Sequence, residues 1–258
     1  NSLSMGYGNQ VQGVGSTNST AIGAANTVNA SANSIALGVG NTVTGGSSVV
    51  GVLGGSNTVS GTERTAIVGV GNTVTDSEDS GVIGGTNTMI SSEDSVQIGN
   101  ENQMLGSQAV SQIGGMNMAN GSMASSMIGI GNTLEQSGAS SIIGIGNTVA
   151  NTTEANATGV NNTIDGGMQN SVIGSYNTLT NGQQNFVAGF GNTLGAGLVG
   201  NQILASGATV AWLSRLLGRS VAELAGLART APKDHGVVLV PAVAGLGAPH
   251  WDPSVGGD

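Results

Sequence analysis

Hydrophobic and polar positions recur with one short period over residues 1–200. An aliphatic residue usually precedes a glycine, an asparagine follows three positions after that glycine, and an apolar residue follows two positions later. The unit occurs 13 times, and from Gly54 onward the glycines are 15 residues apart. Its glycine and asparagine pairs include Gly38 with Asn41, Gly69 with Asn72, Gly129 with Asn132, Gly144 with Asn147, and Gly174 with Asn177.

This period predicts the fold class. Fifteen residues are too few for two helices and a turn, but they suit one coil of a β-solenoid with two short strands and two turns. We therefore predict an all-β fold over residues 1–199, a parallel β-roll or β-solenoid of about 13 coils. The glycines should occupy corners with positive φ or close backbone approach. The asparagines should stack as a hydrogen-bonded ladder.

The strand before each glycine is often apolar at two consecutive positions, as in Val82-Ile83 and Ile142-Ile143. Consecutive side chains on a strand point to opposite faces, so one should enter the coil and the other should face outward. A second copy of the chain is the simplest cover for the outward column, which predicts a homo-oligomer. Gln97 and Gln112 are expected to interrupt that outward column.

The repeats resemble a known family. Residues 18–23 (Asn-Ser-Thr-Ala-Ile-Gly) and 33–38 (Asn-Ser-Ile-Ala-Leu-Gly) are similar to the NSVAIG-type motif of YadA-like trimeric autotransporter heads, and 126–129, 141–144 and 170–174 resemble shorter versions. The resemblance implies a left-handed roll, a homotrimer, and an extracellular place on the outer membrane of a Gram-negative bacterium. It also implies binding to host extracellular matrix or cell-surface molecules. The chain favours Gly-Asn-Thr-Val where the family often has small residues, and the family's neck, stalk and anchor are absent.

Composition changes near residue 200. All four prolines, both tryptophans and both histidines follow it, whereas all eight methionines precede it. Residues 1–200 carry ten acidic residues and one basic residue, and the remainder carries four of each. A shift this complete marks a boundary, so we predict a repeat domain at 1–199 and a second unit at 200–258. The junction is compatible with a rearrangement, an assembly artefact or engineering.

The second unit has a different pattern. Residues 207–218 and 220–229 are predicted helices, Ser220 with Glu223 forms a capping box, and 237–240 is a predicted buried strand. This order, with the sequences at 205–213 and 240–253, resembles the C-terminal domain of FGGY carbohydrate kinases such as glycerol and xylulose kinases.

The kinase resemblance implies that Gly207 lies near the nucleotide, although Ala211 stands where glycerol kinases often have glutamine. The family's N-terminal domain, with its phosphate-binding loop and catalytic aspartate, is missing. We therefore expect no kinase activity and predict that the chain is not an enzyme.

Composition also limits the classes of partner that the chain is expected to bind. A net charge of −9 with only five Lys or Arg argues against nucleic acid. The sequence has no apolar stretch of 18 residues, so direct membrane insertion is not expected. The chain has no cysteine, which excludes a disulfide framework and a thiol nucleophile.

We expect no catalytic residue, cofactor or metal site. His250 and Asp252 are too few ligands for a metal ion. The recurring Gly-x-Gly-Asn lacks the lysine and the helix of a phosphate loop. The acidic residues cluster in a few turns and are expected to be solvated; they include Asp76, Glu78, Asp79, Glu93 and Asp94.

Three functions remain open. The main hypothesis is a non-catalytic adhesin head at the cell surface. The second is a truncated, cytoplasmic FGGY kinase that phosphorylates a sugar or polyol with ATP. The third is a monomeric ice-binding solenoid that uses the threonine row containing Thr42, Thr73 and Thr148.

Overall fold

Successive strands of the chain belong alternately to two β-sheets, each made of parallel strands. The computed structural model describes residues 1–196, 202–203, 214–220 and 223–224. Within these residues, sheet 1 contains 14 strands and sheet 2 contains 13. In chain order the strands are β1 (Leu3–Tyr7), β2 (Gln10–Gln12), β3 (Thr20–Ala24), β4 (Thr27–Asn29), β5 (Ile35–Val39), β6 (Thr42–Thr44), β7 (Ser48–Gly55), β8 (Thr58–Ser60), β9 (Glu63–Val70), β10 (Thr73–Thr75), β11 (Gly81–Gly85), β12 (Thr88–Ile90), β13 (Val96–Asn100), β14 (Gln103–Leu105), β15 (Ser111–Gly115), β16 (Met118–Asn120), β17 (Ser126–Ile130), β18 (Thr133–Glu135), β19 (Ser141–Ile145), β20 (Thr148–Thr153), β21 (Asn156–Val160), β22 (Thr163–Met168), β23 (Ser171–Ser175), β24 (Thr178–Gln183), β25 (Phe186–Phe190), β26 (Thr193–Leu194) and β27 (Gln202–Ile203).

Odd-numbered strands form sheet 1 and even-numbered strands form sheet 2, so each coil supplies one strand to each sheet. Neighbouring strands pair in parallel, with Gly69 opposite Gly84 and Val74 opposite Met89. Each residue therefore stacks on the equivalent residue of the next coil. The predicted all-β parallel solenoid of 15-residue coils is confirmed.

The core is a narrow column between the two sheets. Each coil contributes one inward side chain from each sheet; Val82 from β11 and Met89 from β12 are both 0% exposed. Successive side chains of a strand point to opposite faces, so a three-residue strand such as β12 has only one inward side chain. The space between the sheets is therefore filled by one aliphatic side chain from most strands. The chain can thus form an ordered core with very few aromatic residues.

A third side closes each coil between the sheet 2 strand and the next sheet 1 strand. Its coils are joined by single bridges, such as Glu63 with Glu78 and Glu93 with Gln108. Two buried positions on this side are mostly serine, for example Ser77 and Ser80. The acidic residues predicted to be solvated lie here and at the adjoining corners, and they are exposed.

Only short parts of the second unit are described. Residues 214–217 form a helical turn that ends at Gly218, whose φ is +60°, as predicted for the helix stop. The capping box is also confirmed, since the backbone N–H of Ser220 donates to Glu223 Oε2 at 2.7 Å and that of Glu223 donates to Ser220 Oγ at 3.3 Å. Gly207 and the predicted strand 237–240 lie outside the described residues.

Candidate functional site

The repeated glycines occupy a corner that only glycine fits. Gly69 has a φ of +140° and Gly129 a φ of +133°. A Cβ on either residue would overlap the carbonyl oxygen of the glycine one coil later. Glycine is therefore required both for the positive φ and for the close backbone approach. The same arrangement occurs at Gly38, Gly144 and Gly174.

The asparagines form a continuous buried ladder beside those glycines. Asn72 donates from Nδ2 to Asn57 Oδ1 and to the Gly84 carbonyl, both at 2.9 Å. Its own Oδ1 accepts from the backbone N–H and the Nδ2 of Asn87 at 3.0 Å. The other predicted members make the same bonds; they are Asn41, Asn132, Asn147 and Asn177. These residues therefore build the rod, and they present no free group to a ligand.

A second set of ladders was not predicted. Ser77 Oγ donates to the Thr75 carbonyl at 2.9 Å and accepts from the backbone N–H of Ser92 at 3.1 Å. Serines at intervals of 15 residues repeat these contacts along the third side. The spacing of Ser77, Ser92 and Ser107 is visible in the sequence. That regularity could have identified these residues as buried rather than as loop serines.

The outward face of sheet 1 carries a column of aliphatic residues beside the repeated glycines. From β7 to β23, the position before the glycine is aliphatic in every coil except that of Thr158. In the single chain these side chains are about half exposed, with Ile83 at 50% and Ile143 at 46%. The position after the glycine adds exposed residues such as Val70 and Ile145. One consecutive apolar residue thus fills the coil and the other faces outward, as predicted.

The two glutamines are not where the sequence analysis placed them. Gln97 and Gln112 lie in the inward column and are 0% exposed, while Ile98 and Ile113 continue the outward column without interruption. Gln97 Nε2 donates to Gln112 Oε1 at 2.8 Å and to the Thr88 carbonyl at 3.0 Å. The prediction that they break the outward column is wrong, because stacked glutamines can satisfy most of each other's hydrogen bonds inside the core.

The outward face of sheet 2 is mainly polar. Its first strand position is threonine from β4 to β12 and again from β18 to β26, but β14 has Gln103 and β16 has Met118 instead. The row proposed for ice binding, with Thr42, Thr73 and Thr148, is therefore divided into two blocks. Ice binding stays an untested prediction.

Three acidic residues of the rod, Glu63, Glu78 and Asp79, contact Arg64. Its Nε donates to Asp79 Oδ1 at 2.5 Å and its Nη2 to Asp79 Oδ2 at 2.9 Å, while its Nη1 contacts Glu63. The hydrogen bond from Arg64 lowers the pKa of Asp79, and the bond with Asp79 raises the pKa of Arg64. The side chains of Arg64, Asp79 and Glu63 are exposed, so these surface ion pairs contribute little to the free energy of unfolding.

Among the residues that the structure describes, no group of three or more His, Asp or Glu side chains is arranged to hold a metal ion. No helix in that part of the chain has the length and apolar character needed to cross a membrane.

Part of the chain is similar to glycerol kinases. No protein-family model matches the chain. A stretch of 53 residues, 20% of the chain, is 58% identical to a glycerol kinase of Trichlorobacter lovleyi and covers 11% of that enzyme. A stretch of 57 residues is 54% identical to a glycerol kinase of Alkalilimnicola ehrlichii, with 21% of the chain and 12% of that enzyme covered. A third match, to a glycerol kinase of Paraburkholderia xenovorans, is 56% identical over 52 residues, 19% of the chain and 10% of the enzyme.

These matches confirm the carbohydrate kinase resemblance and correct one prediction. We predicted that the chain is not an enzyme; that prediction is wrong, because about a fifth of the chain is more than half identical to glycerol kinases. The chain spans only about a tenth of the length of these relatives. Gly207, the residue assigned to the nucleotide by resemblance, lies outside the described residues.

Proposed function

We propose that the solenoid is the head of a bacterial surface adhesin. In this proposal it assembles as a homotrimer through sheet 1 and presents sheet 2 to host extracellular matrix or cell-surface molecules. The observation that supports the proposal is the contrast between the aliphatic outward column of sheet 1 and the mainly polar, threonine-rich outward face of sheet 2.

The apolar face favours self-association. Burying one isoleucine side chain contributes about 1.5–3 kcal/mol when it is fully removed from water. Ile83, Ile98, Ile113, Ile128 and Ile143 are each 38–50% exposed and stack in one column, so their contributions add along the rod. A parallel arrangement of copies would match this column with itself over many coils. The number three and the surface location come from the YadA-like motifs, not from the column.

The first test is the mass of the full chain in solution by size exclusion with light scattering. We expect three times the chain mass of 25.1 kDa. A folded monomer at micromolar concentration would contradict assembly through sheet 1. The adhesive part is tested with a panel of immobilised matrix proteins and host cells. An intact trimer that binds none of them would contradict adhesion while leaving the assembly standing.

A second function is favoured by the glycerol kinase identity. We propose that the matched stretch serves an ATP-dependent transfer of phosphate to glycerol or a related polyol. In this proposal Gly207 lies beside the nucleotide, and the protein containing the segment acts in the cytoplasm. Residues 1–199 and the residues after 200 differ in composition, so the two proposals concern different parts of one chain.

The kinase proposal is tested by incubating the full chain with ATP and glycerol and measuring glycerol phosphate. Product formation that falls in a Gly207→Val variant would support it. No product, together with no measurable ATP binding, would contradict it. Cell fractionation separates the two locations, because the adhesin proposal requires surface exposure and the kinase proposal requires the cytoplasm.

A further inference from the structure

The outward face of sheet 2 carries an apolar residue in each of three consecutive coils near the middle of the rod. Here β12, β14 and β16 carry Ile90, Leu105 and Met118, and Met116 occupies the adjoining corner. Ile90 pairs in register with Leu105, and Met118 lies one coil further on. Ile90, Met116 and Met118 are 36%, 57% and 37% exposed. We call these four residues the sheet 2 patch.

Three exposed carboxylates surround the sheet 2 patch. Asp76 follows β10, the strand before it. Glu101 occupies the corner one coil before Met116. Glu135 ends β18, the strand after it. Every ion pair among the described residues involves Arg64, so these three carboxylates have no cationic partner there.

We propose that the sheet 2 patch binds a cationic polypeptide segment in which Lys or Arg residues flank aliphatic side chains. The aliphatic side chains would lie on the patch, where methionine adapts to varied shapes. The cations would pair with the surrounding carboxylates, which also attract the segment before contact. The inference rests on the proposed function, since it assigns a partner chemistry to the sheet that the adhesin presents.

A second copy of the chain does not suit this surface. Residues 1–200 carry ten acidic residues and one basic residue, so another copy would bring like charges to the patch. The outward face of sheet 1 offers such a copy an apolar column without carboxylates. Charge therefore separates the two surfaces, with sheet 1 fitted to a copy of the chain and the sheet 2 patch fitted to a basic partner.

The test uses the full chain and a fluorescent peptide of alternating lysine and leucine, with binding measured by fluorescence anisotropy. The patch variant is Ile90→Thr, Leu105→Asn and Met118→Thr, which places at each position a residue that a neighbouring coil carries there, so the fold is retained. We expect at least a tenfold loss of affinity. Met168→Thr, at an exposed methionine elsewhere on the rod, is the matched control and should bind as the wild type does.

Two further arms define the chemistry. Glu101→Gln with Glu135→Gln should weaken binding and reduce its dependence on salt. A lysine–glycine peptide of equal length should bind at least tenfold more weakly than the lysine–leucine peptide. Equal affinity of the wild type and the patch variant, or equal affinity for both peptides, would overturn the inference. So would a fall in oligomer mass in the patch variant, since it would show that a copy covers the patch.

These readouts are independent of adhesion. If the peptide binds as expected but matrix proteins and cells do not, the adhesin proposal fails and the peptide site stands. If adhesion is observed and the patch variant binds the peptide unchanged, the site fails and the adhesin proposal stands.

Discussion

The two outward faces of the rod have the same backbone pattern and opposite chemistry. Both are built from parallel strands in strict register, and both alternate inward and outward side chains. Sheet 1 presents aliphatic residues such as Ile128 and Ile143, whereas sheet 2 presents Thr133 and Thr148 in the same coils. In a solenoid, the residue type at one outward position of the repeat sets the chemistry of a whole face, because that position is stacked coil after coil. The choice of residue at two positions of the repeat is therefore enough to give the two faces of one rod different chemistry.

The largest effect is expected from charge on sheet 1. The double variant Ile128→Glu with Ile143→Glu should reduce the mass in solution from three chains to one, because two carboxylates would be buried between copies. The measurement is light scattering after size exclusion.

The matched control places the same charges on sheet 2. Thr133→Glu with Thr148→Glu should leave the mass unchanged, since Glu135 and Asp165 already stand exposed on that face. Loss of assembly in both variants would remove the distinction between the faces.

The next effect concerns the ladder at the corner that joins the two sheets. Asn132→Ala removes a buried side chain that donates to the Gly144 carbonyl at 2.8 Å and accepts from Asn147 at 3.0 Å. Each buried group left unpaired costs about 1–3 kcal/mol, so urea unfolding should show a loss of that order or more. Asn192→Ala, at a residue whose Oδ1 has no partner within the part of the chain that the structure describes, should cost less. Equal losses would contradict the ladder as the source of stability.

A smaller effect tests the paired glutamines in the core. Gln112→Met alone leaves Gln97 Nε2 without its bond to Gln112 Oε1, and should destabilise the chain by about 1–3 kcal/mol. The double variant with Gln97→Met should recover most of that loss, since both polar groups are gone and Met127 already fills this column. Thermal unfolding of the single and double variants measures the difference. A double variant that is less stable than the single one would contradict the pairing.

The smallest effect is expected at Arg64. The guanidinium lowers the pKa of Asp79, so the pair contributes at neutral pH and its contribution is lost as the pH falls through the lowered pKa. Because both groups are exposed, Arg64→Met should change the unfolding midpoint little at pH 7 and not at all in high salt. A large change that persists in salt would indicate a structural role for Arg64.

Much of the fold could be predicted from the sequence because the same strand and turn pattern is repeated 13 times. Glycine and asparagine recur in every coil with the spacing of Gly69 and Asn72. Stacked coils need both residues, the glycine for the close corner and the asparagine for the ladder. Periodicity alone does not decide which of two consecutive strand residues faces inward. Burial of a polar side chain is costly unless it is paired, so Gln97 was placed outside, and its partner becomes visible only when β13 and β15 are in register.

The surface features were harder to predict. The sheet 2 patch combines residues from three coils, Ile90, Leu105 and Met118, that look like ordinary variation within the repeat. These three residues lie close together only because β12, β14 and β16 pair in register and because each of the three side chains points outward. The serine ladders were missed for a different reason, because serine in a turn is usually exposed and only its period indicates burial.

The central claim, that copies cover sheet 1 and leave sheet 2 exposed, is tested most directly by thiol labelling. The chain has no cysteine, so Ile143→Cys and Thr148→Cys each introduce a single thiol, on opposite faces of one coil. In the single chain, residue 143 is 46% exposed and residue 148 is partly buried, so an isolated copy would label faster at 143. We predict the reverse order for the native protein, with rapid maleimide labelling at 148 and slow labelling at 143. Faster labelling at 143 would contradict the assembly through sheet 1.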